Sequence, residues 1–178
     1  MRHAPAYDSV AKVLHWLVAA LIVALYLIGF LMPSIGRGMQ PGAAMNLHIS
    51  LGLVALALIV VRLVWRLARP VAPSPDLPRW QQNVSEAMHW ILYALVLAVT
   101  LSGWFYVSLR GWTITLFGSI PVPPLTAPGS QLGRTLGLLH ENIVWALLAV
   151  TALHVTAALA HHLVYRDDVM RRMLGSRR

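Results

Sequence analysis

The sequence predicts an all-α membrane protein, a bundle of four transmembrane helices with both termini cytoplasmic. Three observations predict it: a composition too apolar for water, four apolar runs long enough to cross a bilayer, and basic residues gathered on one side. Of 178 residues, 58% are hydrophobic and 11% charged, against about 25% charged in soluble proteins. One four-helix bundle uses up this length, so residues 1–178 are expected to form a single domain. There is no cysteine, which excludes disulfides, thiolate metal sites and covalent haem attachment through Cys-x-x-Cys-His. The formal charge of +8 does not point to nucleic acid, because the basic residues flank apolar segments and form no patch interleaved with aromatics.

Apolar runs able to cross about 30 Å of hydrocarbon cover approximately residues 13–32, 47–67, 91–107 and 136–164. The first run has no small-residue cleavage site after it, and Gly29-Phe30-Leu31-Met32-Pro33 reads as a helix end, so it is expected to be retained and not removed as a signal peptide. Between the second and third runs, the prolines at 70, 73, 75 and 78 remove backbone donors and mark a linker. Between the third and fourth, residues 111–133 carry Pro121, Pro123, Pro124 and Pro128, and are expected to form a lid across one membrane face.

Eleven of the fourteen Lys and Arg residues fall on the side of the termini and the proline linker, and three, Arg37, Arg110 and Arg134, on the other. The positive-inside rule places the richer side in the cytoplasm. Tryptophans 16, 65, 90, 104 and 112 lie near span ends, as in an interfacial belt.

Four of eight histidines, His15, His48, His140 and His154, fall inside or at the ends of spans, where an imidazole needs a partner and commonly marks a functional pathway. His140 and His154 are fourteen residues apart, which on one helix is roughly 21 Å along the axis and roughly 40° around it. They share a face at two depths. Antiparallel threading puts His15 near the inner side and His48 near the outer, giving two level pairs: His48 with His140 outside, and His15 with His154 inside. A planar macrocycle ligated from both faces needs two imidazoles on facing helices at one height. Two non-covalent haem b groups are the expectation. A proton relay or a non-haem metal are the other readings, though zinc would want three or four convergent ligands.

A porphyrin edge needs room where a helix backbone approaches it. Gly29 lies fourteen residues after His15 and so on its face at the outer level; Gly52 is one turn from His48, and Gly137 nearly one turn from His140. Small-residue packing between membrane helices is the competing reading. Arg62, fourteen after His48, is placed to pair with a carboxylate such as a haem propionate, or to snorkel to the surface. His89 starts the third run on the inner side, with Gly103 fourteen residues on, and is the alternative to His15 as inner ligand. His161 and His162 follow His154 by two turns, beyond the inner pair, with His161 close to the ligand face. There they read either as a hydrogen-bonding and proton site for a quinone or as an interfacial anchor. His3 reads as a tail residue.

The run His15-Trp16-Leu17, the segment Leu47-His48-Ile49-Ser50-Leu51-Gly52, and Leu153-His154 followed by Ala160-His161-His162 resemble the bacterial cytochrome b561 family. The similarity covers essentially the whole chain. The resemblance implies haem ligation by the histidines at 15, 48, 140 and 154, the same set that the spacing pairs. It also implies electron transfer in the bacterial inner membrane, with superoxide passing electrons to ubiquinone as one activity of the family and service to hydrogenases and formate dehydrogenases as another. Arg37, Arg110 and Arg134 have no acidic neighbour before Glu141, so their field would steer a small anion, and superoxide fits. The rival readings are a subunit docked to a periplasmic dehydrogenase and a small proton or ion transporter using the histidines as a relay.

Overall fold

The computed structural model describes residues 7–36, 39–71, 77–129 and 132–174, and of residues 132–134 the backbone alone. Four long helices carry the fold: α1 (Ser9–Leu31), α2 (Ala43–Ala68), α3 (Arg79–Leu109) and α4 (Leu132–Ala160). A two-stranded hairpin, β1 (Thr115–Leu116) and β2 (Ile120–Pro121), sits between α3 and α4. A π-helical turn (His161–Tyr165) extends α4, and a short α5 (Arg171–Leu174) follows. All four long helices have the length and hydropathy of membrane spans.

Each helix starts and stops for a local reason. Asp8 caps α1 by accepting the Ala11 N–H at 2.8 Å, and its carboxylate also accepts from Trp65 Nε1 on α2. These bonds, the Ala11 N–H foremost, hold the Asp8 carboxyl below its ordinary value of 3.8. Met32 turns extended ahead of Pro33 and ends α1. The third helix begins directly after Pro78, twelve residues before the apolar run at 91–107. Its first turns, Arg79-Trp80-Gln81-Gln82, are helical but polar, so hydropathy marks the hydrocarbon-embedded part and misses the extension beyond it.

Backbones pack closely between α3 and α4, α1 and α2, and α2 and α3. Between α1 and α4 the contacts come from long side chains. Tyr26 donates its hydroxyl to the Val144 carbonyl at 2.7 Å, and Phe30 meets Trp145 with ring centroids 5.6 Å apart. One apolar cluster, Val18, Ile59, Tyr93, Val96 and Leu147, ties all four helices together. A second, Val107, Trp112 and Ile114, joins the hairpin region to α2. Much of the remaining apolar surface points outward, as at Val13, Leu17, Val23, Leu27 and Phe30 along α1, which is the surface a lipid-facing helix presents.

The lid expected over residues 111–133 contains the hairpin, turned by Phe117 and Gly118 with positive φ, and the first residues of α4. It is bolted to the helices by hydroxyls. Ser50, fully buried on α2, donates to the Asn46 carbonyl at 2.8 Å and accepts the Phe117 N–H at 2.9 Å. Ser108 on α3 donates to Trp104 and accepts the Leu125 N–H. Tyr7 and Arg172 stack at the opposite end of the bundle, so the two ends of the described chain lie together, away from the lid.

Candidate functional site

Two histidine pairs face each other across the bundle at two heights. At the lid end, His48 of α2 and His140 of α4 have ring centroids 6.5 Å apart, with planes inclined at 82°. At the other end, His15 of α1 and His154 of α4 stand 6.4 Å apart at 71°. All four imidazoles are half-buried. An imidazole nitrogen binds a metal at about 2.0 Å, with the ring centroid about 1.1 Å behind it, so two ligands trans across one metal ion have centroids about 6.2 Å apart. Both separations fit a metal held between two rings.

His140 shows how one ring is aimed. Its Nδ1 lies 2.9 Å from the Val99 carbonyl and 3.3 Å from Ser102 Oγ. A carbonyl accepts only, so Nδ1 carries the proton and Nε2 keeps its lone pair for a metal. Gly103 of α3 makes room for the same ring: a Cβ there would come within 3.0 Å of His140 Cε1.

The glycines expected to admit a porphyrin edge divide. Gly29 lies at the lid-end level, where a Cβ built on it would stand at an ordinary contact distance, 3.5 Å, from the His48 ring. Gly137 faces the Tyr106 ring, 2.8 Å from its would-be Cβ, and so serves helix packing. Gly52 has open space before it. Gly103, valued in the sequence only for its distance from His89, is, among the described residues, the glycine in tightest contact with a histidine.

A third imidazole stands at the terminal end. His89 lies 5.5 Å from His154, centroid to centroid, and its Nδ1 donates to the Ser85 carbonyl. That separation is shorter than two trans ligands require, whereas the His15 separation is not. Arg62 reaches the same end: its Nε donates to Tyr93 OH at 3.0 Å, while Nη1 is buried with no partner among the described residues. With Arg66, Arg69, Trp65 and His89 it lines a cleft. A buried, unpaired guanidinium nitrogen is costly, and a propionate carboxylate would satisfy it. The residues present therefore fit haem.

The three lid-side arginines fare differently. Arg37 lies outside the described residues, and Arg134 falls in the first turns of α4 with its side chain outside them. The Arg110 guanidinium stacks on Trp112, 4.5 Å from the ring centroid, and donates to Gly36 O, Ile35 O and Tyr106 OH. It clamps the lid to the end of α1. These acceptors are neutral and leave its charge uncancelled.

His161 is half-buried, and its Nδ1 meets Asp167 Oδ2 at 2.5 Å. His162 Nδ1 is buried without a partner among the described residues. His3 is outside the described residues. Reasoning from sequence missed Asp167, Tyr93 and Ser102. A partner six residues away is not on a helical face, and a tyrosine or serine within an apolar run carries no signal of what it touches.

The model of the prokaryotic cytochrome b561 family matches residues 6–176. Cytochrome b561 homolog 2 of Escherichia coli K12 is 29% identical over 172 residues, covering 95% of this chain and 91% of the relative. Probable superoxide oxidase CybB of Yersinia pestis is 30% identical over 173 residues, covering 97% of each. Cytochrome b561 homolog 1 of Escherichia coli K12 is 28% identical over 171 residues, covering 93% and 94%. With four apolar helices and facing histidines already in view, the chain belongs to the prokaryotic cytochrome b561 family, as a haem-b-binding, multi-pass bacterial membrane protein of electron transfer.

Proposed function

We propose that this chain is a two-haem cytochrome of the bacterial inner membrane that oxidises superoxide on the lid side and reduces ubiquinone on the side of the termini, with both termini in the cytoplasm. The observation that carries this reading is the presence of two histidine pairs at two heights, with centroid separations of 6.5 and 6.4 Å. In it, His48 and His140 hold the outer group, and His15 and His154 the inner one. Haem held by these residues would supply outer-sphere, one-electron transfer.

The overall chemistry balances: two superoxide anions become two dioxygen molecules, and one ubiquinone takes their two electrons with two protons to become ubiquinol. Arg110, with Arg37 and Arg134, attracts the anion through its uncancelled charge. Arg62 Nη1 pairs with an inner carboxylate. His161, beyond the inner pair, hydrogen-bonds the quinone and hands over protons. The Yersinia pestis relative, named as a probable superoxide oxidase, supports the donor side of this reading. Exposed Phe117 and Ile120 at the hairpin tip favour a second reading, in which a periplasmic dehydrogenase docks on the lid and supplies the electrons.

Stopped-flow mixing of oxidised holoprotein with superoxide separates the two. Haem reduction within the first turnovers is expected. Its absence, with both haems present, overturns the superoxide reading and leaves the cytochrome.

A further inference from the structure

The chain beyond α4 is built around His161. The last turn of the fourth helix is π-helical from His161 to Tyr165, a one-residue widening that recurs at functional sites. Arg166 then adopts a left-handed conformation, φ 53°, and reverses the chain. The reversal closes twice on the same residue. The Asp167 N–H donates to the His161 carbonyl at 3.2 Å, and the Asp167 carboxylate meets His161 Nδ1. The second carboxylate oxygen accepts the Val169 N–H at 3.0 Å, which fixes the group in place. Its neighbour Asp168 is spent elsewhere, pairing with Arg171 at 3.2 Å. Of these two carboxylates it is Asp167 that serves the histidine, and the two side chains of that pair are about equally sheltered, at 19% and 21% exposure.

We propose that Asp167 is a positioning residue for quinone reduction: it binds the Nδ1 proton of His161 and so presents Nε2 to the quinone as the atom that exchanges protons. The inference rests on the reading of His161 as the quinone-side proton donor. In each delivery the His161 Nε2–H bond breaks and an O–H bond forms on the reduced quinone. The neutral imidazole left behind keeps its Nδ1–H, hydrogen-bonded to the Asp167 carboxylate, and a proton from the aqueous phase on the side of the termini restores Nε2–H. The two electrons come from the superoxide oxidised on the lid side. A carboxylate behind an imidazole fixes tautomer and orientation, and loss of such a partner is costly in rate even where geometry is kept.

The test uses the holoprotein with decylubiquinone as probe. Asp167→Asn should lower kcat by about tenfold or more, within the span of general acid–base contributions, with KM and both haem spectra little changed. Asp167→Glu should restore most of the loss, and Asp168→Asn should leave the rate alone. In the dithionite-reduced wild-type protein, 15N NMR of His161 should report a protonated Nδ1, a readout that needs no variant to fold. If His161→Leu reduces decylubiquinone at the wild-type rate, the quinone reading fails and takes this inference with it. If His161→Leu is slow while Asp167→Asn is not, or if His161 is the Nε2–H tautomer, the inference alone falls.

Discussion

Gly103 of α3 and His140 of α4 are in such close register that a single added carbon would stand 3.0 Å from the imidazole. The ring cannot retreat, because its Nδ1 is held by the Val99 carbonyl at 2.9 Å. Gly103→Ala is therefore expected to cost about 1–3 kcal/mol of overpacking and to displace the ring from its metal-facing pose, with loss of the lid-end haem alone. Gly29→Ala meets His48 at an ordinary 3.5 Å and should keep both. Haem-to-protein ratios of the purified variants decide it; equal ratios would remove the argument from ring placement.

Ligand substitution should be selective by level. His140→Ala should eliminate the lid-end haem, and His15→Ala the terminal-end one. His89→Ala should leave two haems per chain, because 5.5 Å from His154 is too near for a trans partner. If His89→Ala loses pigment and His15→Ala does not, the inner pair must be reassigned.

Arg62 places a positive charge beside the terminal-end pair, fixed there by Tyr93 at 3.0 Å. Removing a cation disfavours the reduced state of a nearby centre, so Arg62→Gln should lower the inner haem potential by about 60 mV, corresponding to about 1.4 kcal/mol for one electron. Redox titration of the two b-type bands checks this, with the lid-end haem as the internal reference.

At the lid, the Arg110 charge has neutral hydrogen-bond acceptors, and its effect should travel through the field. Arg110→Gln is expected to slow reduction by superoxide by about tenfold, an effect of the size electrostatic steering gives, and to flatten the dependence on ionic strength. A rate that stays sensitive to salt in the variant would shift the steering to other residues.

Asp8 offers a pH test outside the membrane. Its folded pKa is lowered, chiefly by the Ala11 N–H, so its cap stabilises the fold above the unfolded value of 3.8 and loses that effect as pH falls through the lowered folded value. Thermal unfolding in detergent should show wild type above Asp8→Asn at pH 6, with the gap closing toward pH 3.

The four helices were legible because a bilayer demands long apolar runs, and the two heights because fourteen residues is close to a whole number of helical turns. Less legible was what each residue touches. Gly29 was placed at the right height, and spacing, which gives phase and depth alone, could not show that the His48 ring lies opposite it. Arg110 read as part of an anion-steering field, and what its guanidinium stacks on, Trp112, is a contact between the end of α3 and its own return that periodicity does not encode. The twelve extra residues of α3 and the π turn at His161 are conformational, with no change in apolarity to announce them.

Ser50 stands two residues beyond His48 on α2, and its hydroxyl accepts the Phe117 N–H of the hairpin. The cover and the imidazole are thus mounted on one rod. Prising the cover away would break a bond to the same turn of α2 that carries His48, so cover and ring share a foundation. Under the proposed function, a donor at this end reaches the ring past that cover or hands its electrons through it.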